Sequence, residues 1–171
     1  MIHAHDTTRP RIHASAFVEA SAHVVGDVVL GEDSSVWFCS VLRGDVNEIR
    51  VGRGTNIQDG TIVHVNRRGP PTILENFITV GHAARLHGCH IASHCLIGIG
   101  AIVLDGVDLG EHCLVAAGSL VTPGTKAPAR SVLMGAPARV RREVDEADLD
   151  LIRWSADNYI ALKNDYLRGA R

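Results

Sequence analysis

The sequence predicts an all-β solenoid, a parallel β-helix of about six coils with a C-terminal α-helix packed along it. Three observations predict it. An aliphatic residue recurs every six positions, at Ile12, Val18, Val24, Leu30, Val36 and Leu42, then at Val51, Ile57 and Val63, then at Leu74, Val80 and Leu86, and finally at Ile91, Ile97, Val103, Leu109, Val115 and Val121. Four residues after most of these stands a small or β-branched side chain, among them Ala16, Ala22, Ser34, Ser40, Thr55, Thr61, Ala84, Cys95, Ala101 and Cys113. The composition has few aromatics (4%) and many glycines (17 of 171), as thin stacked layers require.

A period of six excludes one amphipathic helix, whose apolar stripe repeats near 3.6. Short strands joined by turns satisfy it. Six residues make one flat face, three faces make a coil of 18, and successive coils stack about 4.8 Å apart through strand hydrogen bonds. Eighteen positions obey the rule, which gives six coils.

The phase slips three times. Leu42 to Val51 inserts three residues at RGDVNE, and Val63 to Leu74 inserts five around NRRGPP. Leu86 to Ile91 deletes one. Loop tolerance is the plain explanation. The sharper one is that irregular backbone on a rigid scaffold carries function.

The repeat is expected to occupy residues 1–125. Residues 126–142, with prolines at Pro128 and Pro137, read as an irregular strap. Residues 143–171 read as a helical segment, with Leu149, Ile152, Ala156, Tyr159, Ile160, Tyr166 and Leu167 at helical spacing. Asp145, Glu146 and Asp148 suit its N-terminus.

Hydrophobic residues are 46% and charged residues 21%, ordinary for a globular domain. A net charge of -2 gives no basic footprint, so nucleic acid is not an expected partner. No apolar run approaches the roughly 20 residues of a membrane span. The N-terminus lacks the apolar core of a secretory signal, so a cytoplasmic location is expected. Four cysteines without paired spacing fit reduced thiols there.

Arg43, His64 and His87 each follow directly after a repeat aliphatic. Corrected for the insertions, all three fall at one position of one face in successive coils. His64 and His87 are then stacked neighbours, a separation that suits a shared metal with Zn–N near 2.0–2.1 Å. His82 lies on the preceding face with Gln58 and Asp59. Roughly 15 Å of extended chain separates it from His87, too far to share that metal within one chain. If all three histidines are ligands, a neighbouring copy supplies His82, and three-fold closure gives one site per interface. Three neutral imidazoles leave a tetrahedral zinc one open position, where a bound water ionises near neutral pH. Asp45 and Asp59 are placed to hold the Arg43 guanidinium, and Gln58 to orient reactants. The plainer alternatives are surface histidines, as His3, His5, His13, His23, His90, His94 and His112 are read, and an Arg43–Asp45 surface ion pair of little energetic weight.

RGD at 43–45, NIQDGTIVH at 56–64, VGH at 80–82 and LHGC at 86–89 resemble the gamma-class carbonic anhydrase family, as do MGAPARVRR and SADNYIALKNDYL, which look like its bacterial short-loop members. The resemblance covers nearly the whole chain. It implies a left-handed β-helix, a homotrimer with metal at the subunit interfaces, and zinc held by His64, His82 and His87, with iron or cobalt as substitutes. It places Arg43, Asp45, Gln58 and Asp59 around the metal, with Tyr159 approaching from the helix. It implies zinc-hydroxide attack on CO2 to give bicarbonate. Two positions depart from the prototype enzyme. Val46 stands where it has a glutamate, and NRRGPP replaces a long acidic loop bearing a proton-shuttling glutamate. The proton then leaves through buffer or an exposed histidine such as His90 or His94.

Two other classes stay open. Hexapeptide β-helices also resemble acyltransferases, which use one histidine as a base, and an acyl-CoA thioesterase would use the same metal site. A scaffold with a structural metal is the third reading. Three histidines in register favour the metal enzyme. Cys95 and Cys113 are 18 apart and read as stacked core residues, and Cys89 as packing rather than a ligand.

Overall fold

A computed structural model describes residues 1–169. Each of three faces is built from seven short parallel strands, so the solenoid has seven rungs, one more than the period alone counts. The first face begins at Ile2–His3 and passes through the start of His23–Leu30 and of Val41–Val51, then Ile62–His64, Arg85–His87, Ile102–Val103 and Leu120–Val121. The second comprises Arg11–Ile12, the ends of the two long strands, Thr72–Leu74, His90–Ile91, Asp108–Leu109 and Lys126–Ala127. The third comprises Phe17–Val18, Ser35–Val36, Asn56–Ile57, Thr79–Val80, Leu96–Ile97, Leu114–Val115 and Ser131–Gly135.

The hexad aliphatics point inward. From Val24 to Val121 each is at most 3% exposed, while Ile12 and Val18, at the open N-terminal end, are half-buried. The small position exists because the corners leave little room. Its hydroxyls are satisfied by the next rung: Ser40 donates to the Gln58 carbonyl at 2.8 Å and Thr61 to that of Gly81 at 3.1 Å. Register runs through every insertion. Leu42 pairs with Val63, Val63 with Leu86, and Ile57 with Val80.

The segment 126–142, expected as an irregular strap, is regular. The hexad continues past Val121 to Ala127 and Leu133, which are buried, and Ser131–Gly135 pairs with Leu114–Val115. It then turns into an antiparallel strand, Ala138–Glu143. Alanine at one inward position, followed directly by Pro128, hides the period from a reading based on large aliphatics.

The C-terminal helix, α1 (Glu146–Gly169), starts three residues later than expected. Positions 170 and 171 of the expected helical segment lie outside the described residues. Asp145 and Asp148 cap it reciprocally: the Asp148 N–H donates to Asp145 Oδ1 at 2.9 Å and the Asp145 N–H to Asp148 Oδ2 at 3.0 Å. It crosses the third face against Ser35–Val36, Asn56–Ile57 and Thr79–Val80. Ile152, Ser155, Ala156 and Lys163 are its buried residues, whereas Tyr166 and Leu167 stay partly exposed. Among the described residues, no helix is long and apolar enough to cross a membrane.

Candidate metal centre

Strand pairing puts Arg43 beside His64 and His64 beside His87 on the first face. The insertions after Leu42 and after Val63 leave the strands themselves in register, so the column survives them. His64 Nδ1 and His87 Nε2 lie 3.2 Å apart. Each ring's other nitrogen meets a carboxylate: His64 Nε2 is 3.2 Å from Asp45 Oδ1, and His87 Nδ1 is 2.8 Å from Asp105 Oδ1. A carboxylate accepts only, so each of these nitrogens carries the ring proton. In the neutral rings the two facing nitrogens therefore both present lone pairs. Two lone pairs facing each other at this distance suit a shared metal ion. The 3.2 Å separation matches the edge of a tetrahedron with Zn–N of 2.0–2.1 Å, roughly 3.3 Å.

Electrostatics favour the neutral His64 ring. Burial disfavours its cation, and the Arg43 charge adds to this. Together they outweigh the Asp45 carboxylate and hold its pKa below the ordinary histidine value. Burial pushes the Asp45 carboxyl up, but hydrogen bonds from Arg43 and His64 outweigh it and the net shift is downward. Arg43 is ion-paired with Asp45, its side chain half-exposed.

His82 stands on the turn between Thr79–Val80 and Arg85–His87, at the corner between the third and first faces. Its Nδ1 is 2.9 Å from Asp59 Oδ2, and its ring is 44% exposed. All three imidazoles thus have a carboxylate on one nitrogen, the arrangement that fixes ring orientation in histidine metal sites. Within one chain, however, no three of the described His, Cys, Asp and Glu side chains converge on a point. The structure brings together Arg43, Asp45, His64 and His87, and leaves His82 with Asp59 elsewhere.

The remaining predicted residues gather at the His82 corner. Gln58 is 6% exposed and donates from Nε2 to Asn56 Oδ1 at 3.1 Å. Asp59, expected on the Arg43 guanidinium, bonds His82 instead, because it follows the third face while Arg43 lies beyond the corner on the first. The Tyr159 ring meets Trp37 edge-on at 5.3 Å. Burial and then the nearby Asp59 charge raise its phenol above the ordinary value.

His90 lies on the second face between Glu75 Oε1 and Asp108 Oδ1, each at 2.9 Å. His94 is stacked between Phe77 and His112, at 5.2 and 5.1 Å. Neither belongs to the His64–His87 cluster. Cys89 is 1% exposed and burial pushes its thiol up to about 12, which makes it packing, not a thiolate donor.

Sequence reading missed Asp105 and Asn66. Asn66 Nδ2 donates to both Asp105 oxygens at 3.4 Å, and Asn47 Nδ2 ties down the same loop through the carbonyls of Asn66 (3.2 Å) and Gly69 (3.0 Å). The two insertions therefore interlock behind His87. One signal was present: Asp105 follows His87 by 18 residues, one more than the 17-residue coil that pairs Leu86 with Val103. Asp105 also borders an open hollow of about 480 Å³ lined by Asn66, Arg67, Arg68 and Gly69.

Comparison with known proteins bears on what this cluster is. Residues 88–123 match the family described as bacterial transferase hexapeptide (six repeats). The chain is 43% identical over 149 residues to a carbonic anhydrase of Geobacillus kaustophilus, covering 87% of this chain and 81% of that protein. It is 47% identical over 158 residues to gamma carbonic anhydrase 2, mitochondrial, of Arabidopsis thaliana, covering 90% of this chain but 57% of the plant protein. The chain thus spans little more than half the length of that relative. A hexapeptide transferase family protein from Anaplasma phagocytophilum superposes with a TM-score of 0.92 at 38% identity, covering 96% of this chain and 97% of that one.

Proposed function

The chain belongs to the gamma carbonic anhydrase family of hexapeptide-repeat proteins, and from that premise we propose that it is a zinc-dependent hydratase of CO2. The observation that carries the reading is the pair of facing imidazole lone pairs, His64 Nδ1 and His87 Nε2, each ring backed by a carboxylate. His64 and His87 of one subunit and His82 of a neighbouring copy would hold the metal, with iron or cobalt able to replace zinc. When bound, the metal supplies a nucleophile from water at neutral pH and a binding position for an oxyanion.

The chain's own groups do the rest. Arg43 presents a fixed positive charge beside His64, where it favours the negative charge that develops as CO2 becomes bicarbonate. Asp45 holds that guanidinium and the His64 ring together. Asp59 fixes the His82 ring with one nitrogen bonded and the other free. Gln58, tethered by Asn56, orients reactants at that corner, and Tyr159 walls it. Loop 66–71 offers no carboxylate, so the released proton goes to buffer.

A homotrimer follows from the split ligand set. Exposed apolar side chains support it: Ile62 (42%), Ile102 (37%) and Ile99 (58%) project from the first face and the His82 corner, where a second copy would cover them. The free thiols among the described cysteines suit the reducing cytoplasm. The likeness to a hexapeptide transferase family protein supports a second reading, acyl transfer or acyl-CoA thioester hydrolysis at the same interface.

The test is stopped-flow CO2 hydration with metal content quantified. His82→Ala and His64→Ala proteins should each lose metal and hydration. Mixed after reversible dissociation, they should regain both, because one interface then combines intact His64 and His87 with intact His82. Metal retained in His82→Ala would sink the interface site. Metal bound without hydration would move the reading to acyl-CoA hydrolysis.

A further inference from the structure

The buried stripe of α1 contains one charged residue. Lys163 is 1% exposed, and its Nζ lies 2.9 Å from Asp33 Oδ1 and 2.6 Å from Asn164 Oδ1. An ammonium in a low-dielectric contact is tolerated only with good pairing geometry. Ile152, Ser155 and Ala156 already bury α1 without it. Covering the third face is therefore not what the lysine is for.

Asp33 and Asp59 stand at opposite edges of that face. Asp33 precedes the strand Ser35–Val36, and Asp59 follows the strand Asn56–Ile57, the two strands being paired at Val36 and Ile57. Asp33 is fixed from the rung behind it, its N–H donating to Ser15 Oγ at 3.0 Å. Tyr159 lies one helical turn before Lys163. Its ring packs on Trp37, which is 2% exposed and anchored by its indole N–H to Ser35 Oγ at 2.9 Å. Trp37 follows Val36 as Gln58 follows Ile57, so Tyr159 sits above the position from which the chain turns to Asp59. The helix thus has two anchors four residues apart at the two edges of the face it crosses. Aromatic packing lets a helix roll by a fraction of a turn, whereas a 2.9 Å ion pair does not.

We propose that the Lys163–Asp33 pair is a positioning element of the site: it sets the roll of α1 that seats Tyr159 at the Asp59–His82 corner. Through that corner it governs the imidazole offered to a neighbouring copy. This last step rests on the reading of His82 as a ligand, and the seating does not.

Tyr159 and Tyr166 are the chain's two tyrosines, so in a Tyr166→Phe background phenolate absorbance reports Tyr159 alone. Lys163→Met should bring that ionisation back toward about 10. Asp59→Asn should move the phenol in the parent and no longer move it once Lys163 is replaced, a coupling that loss of general stability would not produce. With zinc content unchanged, kcat for hydration should fall about ten-fold, the order expected of a small misplacement, and Lys163→Arg should recover part of it. A folded Lys163→Met protein with an unmoved phenol overturns the seating. A moved phenol with unchanged kcat overturns the positioning role. If Lys163→Met does not fold, the Lys163→Met, Asp33→Leu double variant, which removes the pair and leaves no unpaired charge, is read the same way. A phenol that shifts in a protein whose parent hydrates no CO2 upholds the seating and overturns the function reading.

Discussion

His64 and His87 stand one rung apart with Nδ1 and Nε2 3.2 Å from each other, and each ring's remaining nitrogen is taken by a carboxylate. The scaffold sets the spacing of the rings, whose centroids lie 5.1 Å apart, since paired strands hold corresponding side chains at one strand separation. The carboxylates then decide which nitrogens are free. Two imidazoles are thus preorganised within a single chain, and in the proposed site a neighbouring copy would add the third.

Asp105 holds the His87 ring by Nδ1, the nitrogen turned away from His64, so on the proposed zinc reading its loss should weaken zinc binding 10–100-fold, as loss of outer partners does in histidine sites. Asp105→Asn should show this in competition against a chelator, with the thermal midpoint little changed. Gly88→Ala should act in the same direction. A Cβ there would lie 2.3 Å from Asp105 Oδ1, on backbone at φ +54 that disfavours a side chain. Unchanged affinity in both variants would show that Asp105 does not hold the ring.

Loop 66–71 carries no carboxylate, so proton removal should depend on the solution. Hydration kcat at fixed pH should rise with the concentration of an imidazole buffer and then level off. A kcat independent of buffer would reveal an internal proton carrier.

Burial alone would pull the His90 pKa down, but hydrogen bonds to Asp108 and Glu75 outweigh it and the folded value is raised. Its contribution to stability is therefore full below the unfolded value of about 6.5 and is lost as pH rises through the folded one. His90→Gln should lower the thermal midpoint more at pH 5.5 than at pH 8.5. The side chain is 43% exposed, so screening keeps the difference within about 1 kcal/mol. Equal destabilisation at both pH values would remove the charge from the account.

Leu133 is fully buried, in the final rung. Leu133→Ala should cost about 2–5 kcal/mol in denaturant unfolding, as a core truncation does. Leu151→Ala, at a position 46% exposed on α1, should stay within about 0.5 kcal/mol of the parent. A cost near zero for Leu133→Ala would return residues 126–142 to the status of a loose strap.

The column of Arg43, His64 and His87 was legible because coil length is a covalent property: counting residues and subtracting insertions gives the register that strand pairing shows. Asp105 was harder. The single-residue deletion after Leu86 pairs Leu86 with Val103, so Asp105 lies one place off the column and reaches His87 only through the turn. Asp59 was read toward Arg43, since sequence order says nothing about which side of a corner a side chain takes. The last rung was hidden by the small Ala127.

By itself the sequence determined the three-faced solenoid, its inward residues from Val24 to Val121 and the adjacency of His64 and His87. These follow from a six-residue period, in which position along the chain is position in space. Tertiary structure alone decided which carboxylate holds which imidazole, that Asp59 turns to His82 and not to Arg43, and that Lys163 is buried against Asp33. Those contacts join residues from different rungs or from a helix laid across them, and no local period encodes where a side chain turns when it reaches its neighbour.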